Sequence, residues 1–406
     1  MTLSKEALKA LAMEAVMLPK EEMLEIGRKK QRLYIGIPKE SSWQEYRVAL
    51  VPDAVALLVN NGHDVIIETQ AGAMANFSDN DYSEAGAKIT YDTAEVWKAD
   101  IIMKVGPPTN EEIDMMKMKQ TLFSALQLSV QPKDTLKKLM QKKITAIAWE
   151  HIKDEEGIYP VVRSMGEIAG TASILIAAEY LSKTNNGRGT IMGGIAGITP
   201  TEVVILGAGT VGECATRSAL GLGATVKVLD SSIYRLRRLQ NDIGTRINTS
   251  VMQPRVLEKY LKTADVVIGA VRSRSGRTPC IVTEAMVEGM KEGAVLIDVS
   301  IDQGGCFETS KVTTHTNPVF SKHGIIHYCV PNIASRFPRT ASIALSNIFS
   351  PILINMGDEG GSESLIKYDL GFRNGVYMLH GTLTNPILGE AFKLPYKDID
   401  LLIGAL

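Results

Sequence analysis

Thr201-Glu-Val-Val-Ile-Leu206 leads directly into Gly207-Ala-Gly-Thr-Val-Gly212, and this stretch decides the fold of the chain. The apolar run before the glycines predicts a buried strand, and the segment Glu213 to Leu220 after them predicts a helix. A second apolar run, Thr225 to Asp230, predicts the next strand and ends in an acid. Strand, glycine turn, helix, strand and acid in this order are typical of a dinucleotide-binding βαβ unit.

Each part of this unit has a physical task in binding a dinucleotide. Gly207 permits a tight turn, Gly209 lets the backbone approach a pyrophosphate, and Gly212 lets the helix pack closely on the strand. Thr210 and Val211 begin the helix, whose free N–H groups favour phosphate oxygens. The alternative is a glycine turn in another kind of α/β unit, which the helix and the terminal acid together disfavour.

The acid also indicates which nicotinamide cofactor binds. The Asp230 carboxylate can accept hydrogen bonds from both ribose hydroxyls of the adenosine half, and it would repel a 2′-phosphate. Arg235, on the next helix, would flank the adenosine and could in principle meet a 2′-phosphate. The sequence therefore predicts that NAD binds in preference to NADP. Its cysteine spacing predicts no metal site.

Composition limits the remaining possibilities. The 406 residues suffice for two or three domains, and 45% of them are hydrophobic. With 44 basic and 45 acidic residues the net charge is −1, so nothing attracts nucleic acid or an anionic membrane. We identify no apolar run of the roughly 20 residues that a membrane span needs. Four cysteines without CxxC spacing indicate a reducing compartment, and the predicted location is the cytoplasm.

Alternating strands and helices predict two doubly wound, parallel-sheet, Rossmann-like α/β domains with a cleft between them. We expect an N-terminal helical extension over 1–32, a substrate domain over 33–165, an NAD-binding domain over 166–338, and a mostly helical return to the first domain over 339–406. A long apolar helix is predicted over Ile168 to Lys183. Predicted strands begin at Leu33, Val65, Ile101, Thr121 and Thr145, and then at Val203, Val226, Val266, Val295 and Ile326.

Four blocks of residues resemble the alanine dehydrogenase and transhydrogenase α-subunit family. They are Ile37-Pro-Lys-Glu40 with Tyr46-Arg-Val-Ala-Leu50, then Ala99-Asp-Ile-Ile-Met-Lys104, the glycine turn, and Ile297-Asp-Val-Ser-Ile-Asp-Gln-Gly-Gly305. The last block, with His327-Tyr-Cys-Val-Pro-Asn332, is closer to alanine dehydrogenase. The resemblance implies a homo-oligomer, either a dimer or a hexamer.

The resemblance also implies roles for particular residues. Arg47 would bind the substrate carboxylate, a task that suits the planar fork of a guanidinium. Asp302 would lie beside the nicotinamide ribose and the reaction centre, with Val299 just before it. Asn332 would line both cofactor and substrate. Lys104 matches the first of two family lysines and would reach the substrate only if its loop is displaced; a structural role is the alternative.

Four positions depart from the family pattern. Gln127, in Leu122-Phe-Ser-Ala-Leu-Gln-Leu128, occupies the position of the catalytic histidine, and Ala125 replaces an aromatic residue. Gly106, in Lys104-Val-Gly-Pro-Pro108, occupies the position of the substrate-binding lysine. Glutamine forms hydrogen bonds but does not transfer a proton at neutral pH, whereas histidine does. Gly166 also replaces a serine near the cofactor.

These observations predict NAD-dependent oxidative deamination of L-alanine to pyruvate and ammonia, or the reverse reductive amination. Asp302 and Gln127 are the predicted catalytic positions, and a small 2-amino or 2-oxo acid is the predicted substrate. Two alternatives remain, because Gln127 and Gly106 replace reactive groups. One is a non-catalytic NAD-binding pseudo-dehydrogenase, and the other is a hydride carrier like the transhydrogenase α-subunit, which would need a membrane partner.

Overall fold

The computed structural model describes residues 30–41, 44–126, 133–272 and 277–404. Most of the predicted N-terminal extension and the predicted catalytic position Gln127 lie outside these residues. The described chain forms two sheets of mainly parallel strands, one of eight strands and one of seven. This arrangement confirms the predicted fold class.

The first sheet begins with six parallel strands that alternate with helices. The strands are β1 (Tyr34–Ile37), β2 (Asp64–Glu68), β3 (Lys88–Thr90), β4 (Ile101–Met103), β5 (Thr121–Ser124) and β6 (Thr145–Ala148). The helices are α1 (Pro52–Asn60), α2 (Asp79–Glu84), α3 (Thr93–Val96), α4 (Asn110–Met115) and α5 (Lys133–Gln141). β1 pairs with both β2 and β4, so the strand order reverses beside it.

A 22-residue helix, α6 (Pro160–Leu181), then leads to the second sheet. The strands of this sheet are β7 (Glu202–Leu206), β8 (Thr225–Asp230), β9 (Asn248–Val251), β10 (Val266–Gly269), β11 (Val295–Asp298), β12 (Val319–Lys322) and β13 (Ile325–Tyr328). Its helices are α7 (Thr210–Gly221), α8 (Ile233–Ile243), α9 (Pro254–Thr263) and α10 (Glu284–Glu288). β7 lies between β8 and β10, and only β12 runs antiparallel to its neighbour.

The C-terminal part of the chain returns to the first sheet. Its helices are α11 (Pro338–Asp358), α12 (Ser362–Tyr368), α13 (Leu370–Arg373), α14 (Pro386–Phe392) and α15 (Ile399–Ile403). Its strands are β14 (Val376–Leu379), which pairs antiparallel with β6, and β15 (Thr382–Leu383), which pairs with β14. The tail therefore contains strands as well as the predicted helices.

Helices α6 and α11 connect the two halves of the molecule and pack against each other. By length and composition both could cross a membrane, but about half of each apolar window, 44% in α6 and 50% in α11, is buried within the protein. α6 begins at Pro160, whereas the sequence predicted a start at Ile168. The prediction missed the first turns because Arg163, Gly166 and Glu167 interrupt their apolar pattern. Proline is favoured at the first helical position, where its missing N–H costs nothing.

The apolar side chains of each sheet form a core on both of its faces. Strands such as β4, β5, β6, β10, β11 and β13 are buried along their whole length. This burial explains why their sequences are mostly apolar, since helices cover both faces of a parallel sheet. The carboxyl ends of the parallel strands are therefore the places where polar side chains and loops can form a site.

Candidate functional site

The glycine turn lies at the carboxyl end of β7, where the strand order of the second sheet reverses. Gly207 has φ +110°, and a Cβ there would lie 2.4 Å from the Ala270 carbonyl oxygen of the neighbouring strand end. A Cβ on Gly212 would lie 1.9 Å from the Gly207 carbonyl oxygen. Both positions require glycine for the packing of the protein itself.

Gly209 differs from its two neighbours. Its φ is −85°, and no heavy atom lies within 4 Å of the position that a Cβ would occupy. The fold does not need glycine here, so the open space is available to a group from outside the chain. The position at the N-terminus of α7 suits a pyrophosphate, which the helix dipole and free N–H groups stabilise.

Asp230 ends β8 next to this turn and is 3% exposed. Its carboxylate accepts hydrogen bonds from the backbone N–H groups of Ala208 (2.8 Å) and Ser232 (2.7 Å), which fix its orientation. A carboxylate offers about four acceptor positions, so it can still receive ribose hydroxyls. Arg235 lies 3.8 Å from the same carboxylate. The residues present therefore fit the pyrophosphate and the adenosine ribose of a dinucleotide.

Gly166 faces the glycine turn from α6. A Cβ at Gly166 would lie 3.5 to 3.6 Å from side-chain atoms of Val211 and Thr210. This ordinary contact distance puts the residue next to the first turn of α7. The structure therefore leaves room for a small side chain at Gly166, beside the glycine turn.

Arg47 lies on the loop after β1, and its guanidinium forms a double hydrogen bond with Glu45. Arg47 Nε donates to Glu45 Oε1 at 2.7 Å, and Nη2 donates to Oε2 at 2.6 Å. Each side chain is only 4% exposed. Burial raises the pKa of Glu45, but the charge and hydrogen bonds of Arg47, with a bond from Asn332, lower it further than burial raises it. Both groups are therefore ionised.

Serine hydroxyls hold the backbone of this loop. Tyr46 N donates to Ser335 Oγ at 2.9 Å, Val48 N donates to Ser342 Oγ at 2.9 Å, and Val51 N donates to Ser346 Oγ at 2.8 Å. Ser342 and Ser346 are one turn apart on α11 and both are buried. These bonds satisfy buried N–H groups of a loop that lies outside any sheet, and they fix the position of Arg47.

Asp302 and Asn332 meet at the carboxyl ends of β11 and β13. Asp302 lies in the 3-10 turn Val299–Gln303, and its Oδ1 accepts the Asn332 N–H at 2.8 Å. Asn332 adopts the left-handed conformation at φ +56°. Asp302 is open to the cleft, but surrounding protein atoms displace water and raise its pKa, opposed by the Asn332 N–H and by Arg47.

Lys104 follows β4 and is fully buried. Its ammonium lies 2.9 Å from Glu112 and 3.2 Å from Glu40. Burial lowers its pKa, but the two carboxylates raise it more, so the net pKa lies above the ordinary lysine value. Lys104 thus stays protonated and is engaged by two carboxylates of its own domain.

Two of the departures from the family pattern, Gly106 and Ala125, lie close to this buried cluster. The Glu40 carboxylate accepts the N–H groups of Val105 (2.5 Å) and Gly106 (3.3 Å). Ala125 is buried, and its N–H bonds to the Val105 carbonyl at 3.1 Å. Gly106 and Ala125 therefore line one short stretch of the first domain, at the carboxyl ends of β4 and β5.

Two family models together match most of the chain. The model described as "Alanine dehydrogenase/PNT, N-terminal domain" matches residues 36–169, and the one described as "Alanine dehydrogenase/PNT, C-terminal domain" matches residues 173–386. The chain belongs to the alanine dehydrogenase/PNT family. This membership makes it an NAD-dependent enzyme of the amino-acid dehydrogenase class, as expected from the sequence.

Individual members of the family agree with this assignment. The chain is 40% identical over 367 residues to "Alanine dehydrogenase 2" of Staphylococcus aureus strain USA300, which covers 90% of this chain and 98% of that protein. A solved L-alanine dehydrogenase superposes with a TM-score of 0.84 at 37% identity over 88% of this chain and 99% of that one. A transhydrogenase from Sinorhizobium meliloti, at 22% identity and a TM-score of 0.75, shares the fold.

Within this family framework, the structure brings Arg47, Asn332 and Asp302 together at the cleft and groups Gly207 to Gly212 with Asp230. Lys104 stays apart, enclosed by Glu40 and Glu112. Sequence reasoning missed the polar residues that hold the site: Glu40, Glu45, Ser335, Ser342 and Ser346. One signal was available, because serines at positions 342, 346 and 350 follow helical spacing within an otherwise apolar helix.

Proposed function

We propose that this chain catalyses the NAD-dependent oxidative deamination of L-alanine to pyruvate and ammonia, and its reverse, in the cytoplasm as a homo-oligomer. The observation that supports it is the guanidinium of Arg47, fixed by Glu45 on the side of the cleft that faces Asp302. A 2-amino or 2-oxo acid presents a carboxylate, which an arginine fork binds with two parallel hydrogen bonds. The relatives named alanine dehydrogenase supply the choice of alanine.

NAD, when bound at the glycine turn, supplies hydride transfer to and from the substrate Cα. Gly207 to Gly212 and Asp230 would hold the dinucleotide, with Arg235 beside the adenosine and Val299, Asp302 and Asn332 beside the nicotinamide half. The Arg47 guanidinium would hold the substrate carboxylate. The protein contributes orientation and charge, and the small size of the substrate limits its contacts to this carboxylate and the reacting centre.

Proton transfer needs a group other than Gln127, whose amide does not titrate. Asp302 is the candidate, because its side chain is exposed while surrounding protein atoms displace water and raise the pKa of its carboxyl above the ordinary value. A water held by Asp302 would take the proton from the substrate amine. Lys104 is less suitable as a base, since Glu40 and Glu112 keep it protonated.

The experiment is NADH oxidation with ammonia and a panel of 2-oxo acids, accompanied by direct measurement of NADH binding. We expect low but measurable turnover with pyruvate. Arg47→Met should lower kcat/KM by about tenfold to a hundredfold, as expected for a lost charged hydrogen bond, with NADH affinity within a few-fold. Tight NADH binding without turnover of any oxo acid would favour the pseudo-dehydrogenase.

Restoring the two missing polar groups tests the same proposal from the opposite direction. The double variant Gln127→His with Gly106→Lys should raise alanine turnover at least about tenfold, because a positioned histidine contributes about 10²–10⁴ in rate. Asp302→Asn in the natural protein is the matched comparison and should abolish turnover. High alanine turnover that persists in Asp302→Asn would exclude Asp302 as the proton-transfer group.

A further inference from the structure

Glu45 accepts more hydrogen bonds than an ion pair alone requires. Beyond the two bonds from the Arg47 guanidinium, its carboxylate accepts Asn332 Nδ2 at 2.6 Å and Ser335 Oγ at 3.3 Å. Arg47 belongs to the first domain, whereas Asn332 and Ser335 follow the last strand of the second sheet. Glu45 therefore joins the substrate side of the cleft to the nucleotide side.

The bonds continue beyond Glu45 to the reaction centre. Asn332 donates its side-chain amide to Glu45 and its backbone N–H to Asp302 Oδ1 at 2.8 Å. Its left-handed backbone, at φ +56°, turns these two donors toward different partners. One continuous series of short hydrogen bonds thus runs from Arg47 through Glu45 and Asn332 to Asp302.

Glu45 also decides which edge of the Arg47 fork remains for a ligand. A guanidinium has five N–H groups, and Glu45 takes the one on Nε and one on Nη2. Nη1 contacts the sulfur of Met165 at 3.3 Å, on α6. The Nη1–Nη2 edge is the one that Glu45 does not take, so it is the edge that could bind a second carboxylate with two parallel bonds.

We propose that Glu45 is a positioning residue that holds the carboxylate-binding edge of Arg47 at a fixed place relative to Asp302 by bridging the two domains through Asn332. This role rests on the proposed function of Arg47 as the substrate anchor. In this arrangement, the contacts of Glu45 across the domain interface set the distance between the substrate carboxylate and Asp302. A displacement of about 1 Å in such an arrangement can cost about 10²-fold in rate.

The first test is Glu45→Gln, which keeps the shape and loses the charge. The glutamine amide would oppose the Arg47 N–H groups, so the fork should leave its place. We expect KM for pyruvate to rise at least about tenfold, with NADH affinity within threefold. A fall in KM would overturn the proposal, because it would show that Glu45 merely screens the charge of Arg47 from the substrate.

A second variant, Asn332→Gly, separates positioning from stability. Glycine keeps the left-handed backbone and its N–H bond to Asp302, and the Arg47–Glu45 pair remains intact. The variant removes the Asn332 side-chain bond to Glu45 while the Ser335 bonds remain, so kcat should fall at least about tenfold while KM for pyruvate changes less than threefold. The Kd for NADH of the same variant separates this effect from the loss of a cofactor contact. This division between KM in one variant and kcat in the other is not expected of residues that only stabilise the fold.

Two further measurements distinguish this proposal from the proposed function. The control variant Glu95→Gln removes an ion pair with Lys88 far from the site and should change neither kcat nor KM. Amide hydrogen exchange on the NADH-loaded protein without substrate should speed up about tenfold at Tyr46 and Ser335 in Glu45→Gln and Asn332→Gly. If no oxo acid reacts, the proposed function fails, but the exchange rates still test whether Glu45 and Asn332 join the two domains. Unchanged exchange in both variants would overturn that role.

Discussion

At the scale of single residues, the glycine turn contains positions that look alike in sequence and differ in structure. Gly209 faces open space, so Gly209→Ala should leave the melting temperature nearly unchanged and raise the Kd for NADH at least about tenfold, because its methyl occupies the space for the pyrophosphate. Gly212→Ala is the comparison and should destabilise the fold, since its Cβ meets the Gly207 carbonyl. Calorimetry and NADH titration measure both, and equal loss of stability in the two variants would contradict the prediction.

Asp230 provides a second prediction at this scale. Its carboxylate, fixed by Ala208 and Ser232, should favour NADH over NADPH, and Asp230→Ser should narrow that preference by removing the charge that repels a 2′-phosphate. Arg235 would then be free of its acidic neighbour and able to approach the phosphate. Fluorescence titrations with both cofactors check this, and equal affinities in the unmodified protein would refute the assignment of Asp230.

At the scale of elements, the contact between α6 and α7 couples the interdomain helix to the nucleotide site. A Cβ on Gly170 would lie 2.4 Å from the Val211 carbonyl and 2.8 Å from Cys214 Cβ. Gly170→Ala should therefore push α7 away, destabilise the protein by about 1–3 kcal/mol and weaken NADH binding together. Gly221→Ala, at the open end of α7, should instead stabilise by up to about 1 kcal/mol with NADH affinity unchanged. Urea unfolding and NADH titration test this. A Gly170→Ala variant with unchanged unfolding free energy and unchanged NADH affinity would contradict the prediction.

At the scale of the whole molecule, the Glu45 bridge makes the domain interface sensitive to acid. The Arg47 charge and hydrogen bonds hold the pKa of Glu45 below its ordinary value of 4.5. The unfolded chain therefore binds this proton more readily, so the stabilisation is complete above about pH 4.5 and is lost as pH falls through the lower, folded pKa. Loss of water contact raises the pKa values of Glu40 and Asp302, so their ionisation at higher pH disfavours the folded state, opposite to the effect of Glu45.

Comparing the natural protein with Glu45→Gln separates the contribution of Glu45 to stability from those of Glu40 and Asp302. The difference in unfolding free energy between the natural protein and Glu45→Gln should be about 3–5 kcal/mol at pH 7, since removing one partner leaves Arg47 buried without its counter-charge. It should shrink steadily below about pH 4.5. Urea unfolding at several pH values measures it, and a difference independent of pH would show that the charge of Glu45 does not act on stability.

The sequence by itself determined the parts of this protein that rest on local physics. Buried parallel strands are apolar along their whole length, and a glycine turn followed by an acid reflects the shape of a dinucleotide, so the two domains and NAD could be predicted. Two edge strands escaped prediction. β9 is mostly polar, β12 is half polar, and both are partly exposed, so neither shows a periodic pattern. β14 is apolar and fully buried, but it also escaped prediction, because it pairs with a strand more than 200 positions away.

Only the tertiary structure decided how the candidate site is held. Arg47 could be named from sequence, but its partner across the cleft, Asn332, lies 287 positions from Glu45. From sequence, Lys104 was either structural or, with a displaced loop, a substrate ligand, and only the fold showed Glu40 and Glu112 around its ammonium. Hydrogen bonds and charge pairs act through space over about 3 Å, whereas sequence patterns report only what neighbouring residues share. The identity of a site residue is therefore local, and its orientation and charge state depend on the assembled fold.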